Sequence, residues 1–220
     1  MIYLFPFLAV LLGCLLAFTI AKKSDYLPLL LSFSGAFLLA ITVVNIIPKI
    51  YLDENNHIGT FILIGILLQL VLEYLSGGAE HGHLHHQKSN SFPWLLFVSI
   101  SIHALLEGFP LHIDQKLLIA VVIHKIPIGL LLTTFFIRAN FKRKQILPLI
   151  IIFALMTPLG SLLEEIIRLT DMTAQYITAI AVGVFLHVST TILFETSKDH
   201  RFNLSKFLMI ILGFGIALIA

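Results

Sequence analysis

Phe92 to Leu111 reads FPWLLFVSISIHALLEGFPL. A membrane helix takes roughly 20 mostly apolar residues, and this run has that length and character. Its middle nonetheless holds His103 and Glu107. A charge at mid-bilayer costs about 2.5–3.5 kcal/mol on insertion scales, so such a pair is by default a candidate functional site. A short connection around His112 to Lys116 leads to the next apolar run, Leu117 to Ile137, which holds His124 and Lys125.

The rest of the chain is of the same kind. Its 220 residues are 58% hydrophobic and 12% charged, with a mean hydropathy of +1.00. A soluble domain is about 45–50% apolar and about 25% charged. The excess cannot be buried in one core and must face lipid. That excludes a soluble enzyme, a secreted disulfide scaffold and a nucleic-acid-binding domain. A net charge of +2 leaves no large basic field for nucleic acid. The single cysteine, Cys14, allows no intrachain disulfide.

Apolar runs bounded by polar or Gly/Pro punctuation predict eight spans: Ile2 to Ala21, Leu27 to Ile50, Gly59 to Leu75, Phe92 to Leu111, Leu117 to Ile137, Ile146 to Leu169, Gln175 to Glu195 and Leu204 to Ala220. The first run resembles a signal peptide in length, and Leu12-Gly13-Cys14 faintly suggests a lipobox, but no Lys or Arg precedes it and Lys22 and Lys23 follow. It reads as a permanent span. The expectation is an all-α integral membrane protein, one eight-helix domain over residues 1–220 with no soluble domain.

Orientation follows from Lys and Arg in the loops. One side holds Lys22, Lys23, Lys88, Arg138, Lys142, Arg143, Lys144, Lys198, Arg201 and Lys206, and the other only Lys49, Lys116 and Arg168. The richer side is cytoplasmic, so both termini are expected outside, extracellular or periplasmic. Short loops suit the plasma (inner) membrane of a bacterium.

His103 and Glu107 are four residues apart and share one helical face. The short connection makes spans four and five antiparallel neighbours, so His124 can face the pair at similar depth. Imidazole and carboxylate donors suit zinc, manganese or iron(II). The alternative is a pair that merely hydrogen-bonds and knits the bundle. Pro110 and Pro127 lie on the same two helices. A proline loosens the carbonyl one turn earlier, which in a membrane is tolerated beside a cavity or packed protein. The one long loop, about 76–91, carries His81, His83, His85 and His86. It lies on the cytoplasmic side by the charge argument and reads as an accessory cluster that binds metal weakly and exchanges it quickly.

The residues resemble a known family. Ser101-Ile102-His103-Ala104-Leu105-Leu106-Glu107-Gly108 is similar to the fourth-helix H-N-x-P-E-G signature of the ZIP (Zrt/Irt-like) divalent-metal transporters. His124-Lys125-Ile126-Pro127-Ile128-Gly129 is similar to their fifth-helix H-x-x-P-E-G. Thr157-Pro158-Leu159-Gly160 resembles the Pro-x-Gly segment of helix six, and Asn45-Ile46-Ile47-Pro48 stands where helix two often has H-x-x-P.

The resemblance implies uptake of zinc, or a related cation, into the cytoplasm through a site on helices four and five; imidazole and carboxylate ligands serve manganese, iron(II) and cadmium as well as zinc. It also implies elevator-like alternating access, with His103, Glu107 and His124 as metal ligands. The departures matter too. The helix-five glutamate is Ile128, the helix-four asparagine is Ala104, the helix-six acid is Thr157, and Lys125 stands where a second-metal ligand often lies. An ammonium there replaces the charge of a second cation and repels a real one, so one metal is expected rather than two. Asn45, Lys125 and His187 are pathway positions. The metal is cargo, and no prosthetic group is expected. The expected partners are divalent ions and lipid, with a homodimer left open.

Two rivals remain. One is a membrane metalloenzyme: an intramembrane protease would carry H-E-x-x-H, which does not occur here, and a hydrolase or desaturase would need more ligands and a substrate-sized pocket. A proton-coupled carrier of a small organic solute would use the same His, Glu and Lys groups as a relay.

Overall fold

The computed structural model describes residues 1–20, 26–51, 57–77, 92–167, 170–195 and 204–219. These form helices: α1 (Leu4–Ile20), α2 (Leu27–Ile50), α3 (Ile58–Ser76), α4 (Trp94–His112), α5 (Gln115–Arg138), α6 (Arg143–Ile167), α7 (Asp171–Glu195) and α8 (Leu204–Ile219). The six from α2 to α7 are long and apolar enough to cross a membrane, while α1 and α8 are shorter apolar helices. The ends fall within a few residues of those expected.

The surface is that of a protein solvated by lipid. On α3, Leu63, Ile64, Leu67, Leu70 and Val71 make an exposed apolar stripe, while Gly65, Gln69, Leu72 and Ser76 face inward. The inner face holds small and polar residues beside Leu72, and the outer face is large and apolar, unlike the polar outer face of a water-soluble helix. Gly77 then closes α3 in the left-handed conformation, φ 65°.

Two local irregularities follow from proline. Pro48 has no N–H, and its ring crowds the carbonyl of Val44. Just before it, α2 widens into a π-helical turn, Thr42–Ile46, where the Ile47 N–H donates to the Thr42 carbonyl. Pro110 stands in a 3-10 turn, Phe109–His112, that ends α4. Pro127 is held within α5 without a break. Asp114 caps α5, its Oδ1 accepting the Lys116 N–H at 2.7 Å.

Helices in lipid gain nothing from hiding apolar surface, so small residues and close packing decide who pairs with whom. A Cβ on Gly160 would lie 2.0 Å from the Leu105 carbonyl oxygen, and one on Gly108 2.1 Å from that of Thr157. These contacts clamp α4 to α6. Gly13 and Gly129 do the same for α1 and α5, and Gly65 and Gly183 for α3 and α7. Helix α2 packs on α8, and also against α5 and α7.

Helices α4 and α5, expected as neighbours, meet through side chains. They do not pack backbone to backbone along their length; α5 meets the 3-10 turn of α4, polar side chains bridge the two at mid-helix, and Phe97 meets Phe136 further along. The apolar interior is split accordingly. One cluster gathers Leu96, Phe97, Phe136, Ile146 and Phe153. The other gathers Phe37, Ile46, Leu111, Leu117 and Phe185. Glu107 and His124 fall in sequence between the residues of the two clusters on their own helices, and His103 lies at the edge of the first.

Candidate metal site

His103 and Glu107 lie one turn apart on α4, and His124 reaches them from α5. His103 Nε2 is 3.1 Å from Glu107 Oε1, and His124 Nε2 is 3.9 Å from the same oxygen. All three residues are buried, with 2%, 0% and 0% of their surface exposed. One donor atom from each lies within 4.8 Å of the others. Donors bound at about 2.0–2.2 Å around a tetrahedral zinc stand about 3.4 Å apart. The spacing is that of a site which one divalent ion could draw closed.

Lys125 follows His124 and is also buried. Its ammonium is hydrogen-bonded to Glu107 Oε2, so the two carboxylate oxygens have separate partners: Oε2 faces the ammonium and Oε1 the imidazoles. A buried carboxylate needs such compensation. The Lys125 Nζ also sits 5.4 Å above the centre of the Phe153 ring on α6, a cation–π contact.

The sequence did not point to the outer shell. The Gln69 carbonyl oxygen on α3 lies 3.1 Å from His103 Nδ1. Ser34 Oγ on α2 lies 3.5 Å from His124 Nδ1. Both residues are buried. Gln69 could have been noticed as a lone amide in an apolar span; Ser34 has no such mark. Thr157, standing where an acid was expected from the resemblance, donates its hydroxyl to the Ala104 carbonyl at 2.8 Å, and Ser161 does so to that of Gly108 at 2.7 Å. These bonds tie the ligand helix α4 to α6.

The other nominated residues stand apart. Asn45 is half-buried in the π-helical turn, eleven residues beyond Ser34 and so about 16 Å along the helix axis. His187 is half-buried on α7, with Nε2 2.5 Å from Glu73 Oε2 on α3. Glu73, whose role was not readable from sequence, is thus its partner. Glu164 is 3.7 Å from His112, and Glu165 accepts a hydrogen bond from Tyr3. His81, His83, His85 and His86 lie outside the described residues.

The chain matches the family described as ZIP Zinc transporter over residues 75–220, more than half its length. It is 30% identical over 174 residues to Protein zntD of Dictyostelium discoideum, covering 68% of this chain and 26% of that protein. To Zinc transporter ZIP1 of Danio rerio it is 25% identical over 159 residues, 64% of this chain and 51% of that one. To Zinc transporter ZIP1 of Takifugu rubripes it is 27% identical over 154 residues, 62% and 50%. The chain spans from a quarter to half of the length of these relatives. The family's description, like the names of the two fish proteins, is that of a transporter and not of an enzyme. From its apolar helices and from this match, the chain is an integral membrane protein that belongs to the ZIP zinc transporter family.

Proposed function

We propose that this chain carries a divalent metal ion, zinc foremost, toward the cytoplasm, and that His103, Glu107 and His124 hold the ion in transit. The observation that carries this reading is the convergence of three buried donors within 4.8 Å. Two imidazoles and one carboxylate leave a coordination position for water, which suits an ion that must be released again. The ligands must be deprotonated to bind, so acid competes with the ion.

The reading has one ion per chain in this site. With Oε2 of Glu107 taken by Lys125, one carboxylate oxygen remains for metal. It also has eight spans with both termini outside, counting α1 and α8. At 1.5 Å per residue these two are about 24–26 Å long, short of a hydrocarbon core of about 30 Å but within reach once flanking residues are added.

Alternating access by sliding is supported by the way the glycine contacts divide the helices. Those contacts lock α1 to α5 and α4 to α6, and α1 also packs on α6. A second group forms around α3 with α7 and α2 with α8. The site residues all belong to the first group, which moves as a carrier against the second in this reading. The loop histidines His81, His83, His85 and His86 serve as accessory acceptors on the cytoplasmic side. The short loops favour a bacterial plasma membrane, against which stands that the named relatives come from eukaryotes.

The test is zinc flux into liposomes carrying the purified protein. His103→Ala, Glu107→Gln and His124→Ala are each expected to lower it at least about 100-fold, the upper end of what even an outer-shell partner is worth. Metal flux in the variants equal to that of the unaltered protein sinks the site. No flux of zinc, manganese, iron or cadmium in the unaltered protein leaves the organic-solute carrier as the better reading.

A further inference from the structure

The three ligands explain where an ion would sit. They do not explain what fixes the imidazoles so that the correct nitrogen faces it. A neutral imidazole has one N–H and one lone pair, and the partner of the non-ligating nitrogen decides which is which. Both rings of this site have such a partner, and neither partner comes from a helix that carries a ligand.

At His103, Nδ1 faces the side-chain carbonyl oxygen of Gln69 at 3.1 Å. A carbonyl oxygen only accepts, so Nδ1 carries a hydrogen and Nε2 is the nitrogen left to give its lone pair to an ion; without an ion, a hydrogen on Nε2 would face Glu107 Oε1 at 3.1 Å. At His124, Nδ1 lies 3.5 Å from Ser34 Oγ, at the long end for a hydrogen bond. The Ser34 hydroxyl hydrogen is directed at the Leu31 carbonyl, 3.2 Å away, so Oγ is left as acceptor for the His124 Nδ1–H. The same tautomer results at both rings. Gln69 has 0% of its surface exposed and Ser34 1%, so no water competes for these bonds.

From this geometry we infer that Gln69 and Ser34 are positioning residues for transport: they hold both imidazoles as Nδ1–H tautomers with Nε2 turned to the ion, and, being neutral, they keep the site from binding too tightly to let go. This rests on the metal-site reading above. A carboxylate in place of Gln69 would draw the Nδ1 proton more strongly and raise the basicity of His103 as a ligand. An uncharged amide orients the ring with less of that effect. Tighter binding of the cargo lowers the half-saturating concentration but slows release, so the chemistry of residue 69 trades affinity against turnover.

The experiment uses the full chain in liposomes, with zinc flux measured over a range of zinc concentrations, and ¹⁵N NMR of labelled histidine to read the tautomers with zinc bound. Gln69→Met keeps the length of the side chain and removes the acceptor. It is expected to raise KM for zinc about 10- to 100-fold with the maximal rate within about 2-fold, and to convert the His103 signal from one Nδ1–H species to a mixture. Gln69→Glu is expected to move the other way, with KM and maximal rate both falling several-fold. Ser34→Ala should raise KM by a smaller factor, about 3- to 10-fold, and Ser34→Thr should restore it.

An unchanged KM and an unchanged tautomer in Gln69→Met overturn the inference. So does an equal rise of KM in Gln69→Met and Gln69→Glu, since a purely structural residue would respond that way to both. A variant that fails to fold leaves the Ser34 pair and the NMR of the unaltered protein, in which an Nε2–H tautomer at either ring is equally fatal. The metal site and the positioning role fail separately. If His103→Ala transports normally, the site itself is wrong. If His103→Ala is inactive while Gln69→Met is normal, only the positioning role is lost.

Discussion

Lys125 donates a hydrogen bond to Glu107 across the gap between α5 and α4, with 1% and 0% of the two side chains exposed. Removing one partner of a buried pair leaves an uncompensated charge, at a cost of about 3–5 kcal/mol. Lys125→Met should therefore lower the Tm markedly. Added zinc should recover part of the loss, because the ion supplies positive charge to the same carboxylate. Thermal unfolding in detergent with and without zinc checks this. A variant that melts like the unaltered protein would mean the pair is not formed.

At one end of the bundle, Lys49 at the end of α2 bonds Asp114 Oδ2 at 2.7 Å, joining the helix group of α2 to the N-cap of α5. Burial pushes the Asp114 carboxyl up, but the Lys49 ammonium and the Lys116 N–H more than reverse this, so it stays below the usual carboxylate range. A carboxyl with a lowered pKa stabilises the fold above its unfolded value of about 3.9 and loses that contribution as pH falls through the folded one. Tm should be flat from neutral pH to about pH 5 and then fall. Asp114→Ala should remove this step and cost about 1 kcal/mol through the lost cap. The Lys49 arm adds little, because its side chain is 44% exposed.

The α4–α6 contact leaves no room for a side chain. A Cβ at residue 160 would stand 2.0 Å from the Leu105 carbonyl oxygen, a backbone atom that cannot swing aside. Gly160→Ala should force α4 and α6 apart, displacing His103 and Glu107 together. Transport should fall by more than about 10-fold with a lower Tm. Gly215→Ala is the control, since nothing lies within 4 Å of its Cβ position, and it should be near neutral. Equal effects of the two substitutions would refute the close approach.

Thr157 and Ser161 bond successive turns of α4, at the Ala104 and Gly108 carbonyls. Interhelical bonds of this kind average about 0.6 kcal/mol in membranes. Thr157→Val and Ser161→Ala should each cost about that much, and the double variant close to the sum unless the two turns shift together. Unfolding of the single and double variants in detergent measures both quantities.

Several features were open to a reader of the sequence. Spans could be found because each is a local property of composition. His103, Glu107, His124 and Lys125 stood out because ionisable groups in apolar runs are costly, and the i,i+4 spacing put two of them on one face. The structure brings all four together. The short connection made α4 and α5 neighbours, and their side chains meet at the site. Polar side chains fill the space between them at mid-helix and Phe97 and Phe136 further along.

What the amino-acid order determined unaided is which segments are apolar helices and which polar groups must be inside them, since both depend on neighbours within a few turns. What only the tertiary structure decided is the company those groups keep. His187 meets Glu73 across 114 residues of chain, Gln69 meets His103 across 34 and Ser34 meets His124 across 90. In lipid no contrast between inside and outside tells helices how to turn; the fit of glycine against backbone does, and that fit appears only once the helices are set side by side.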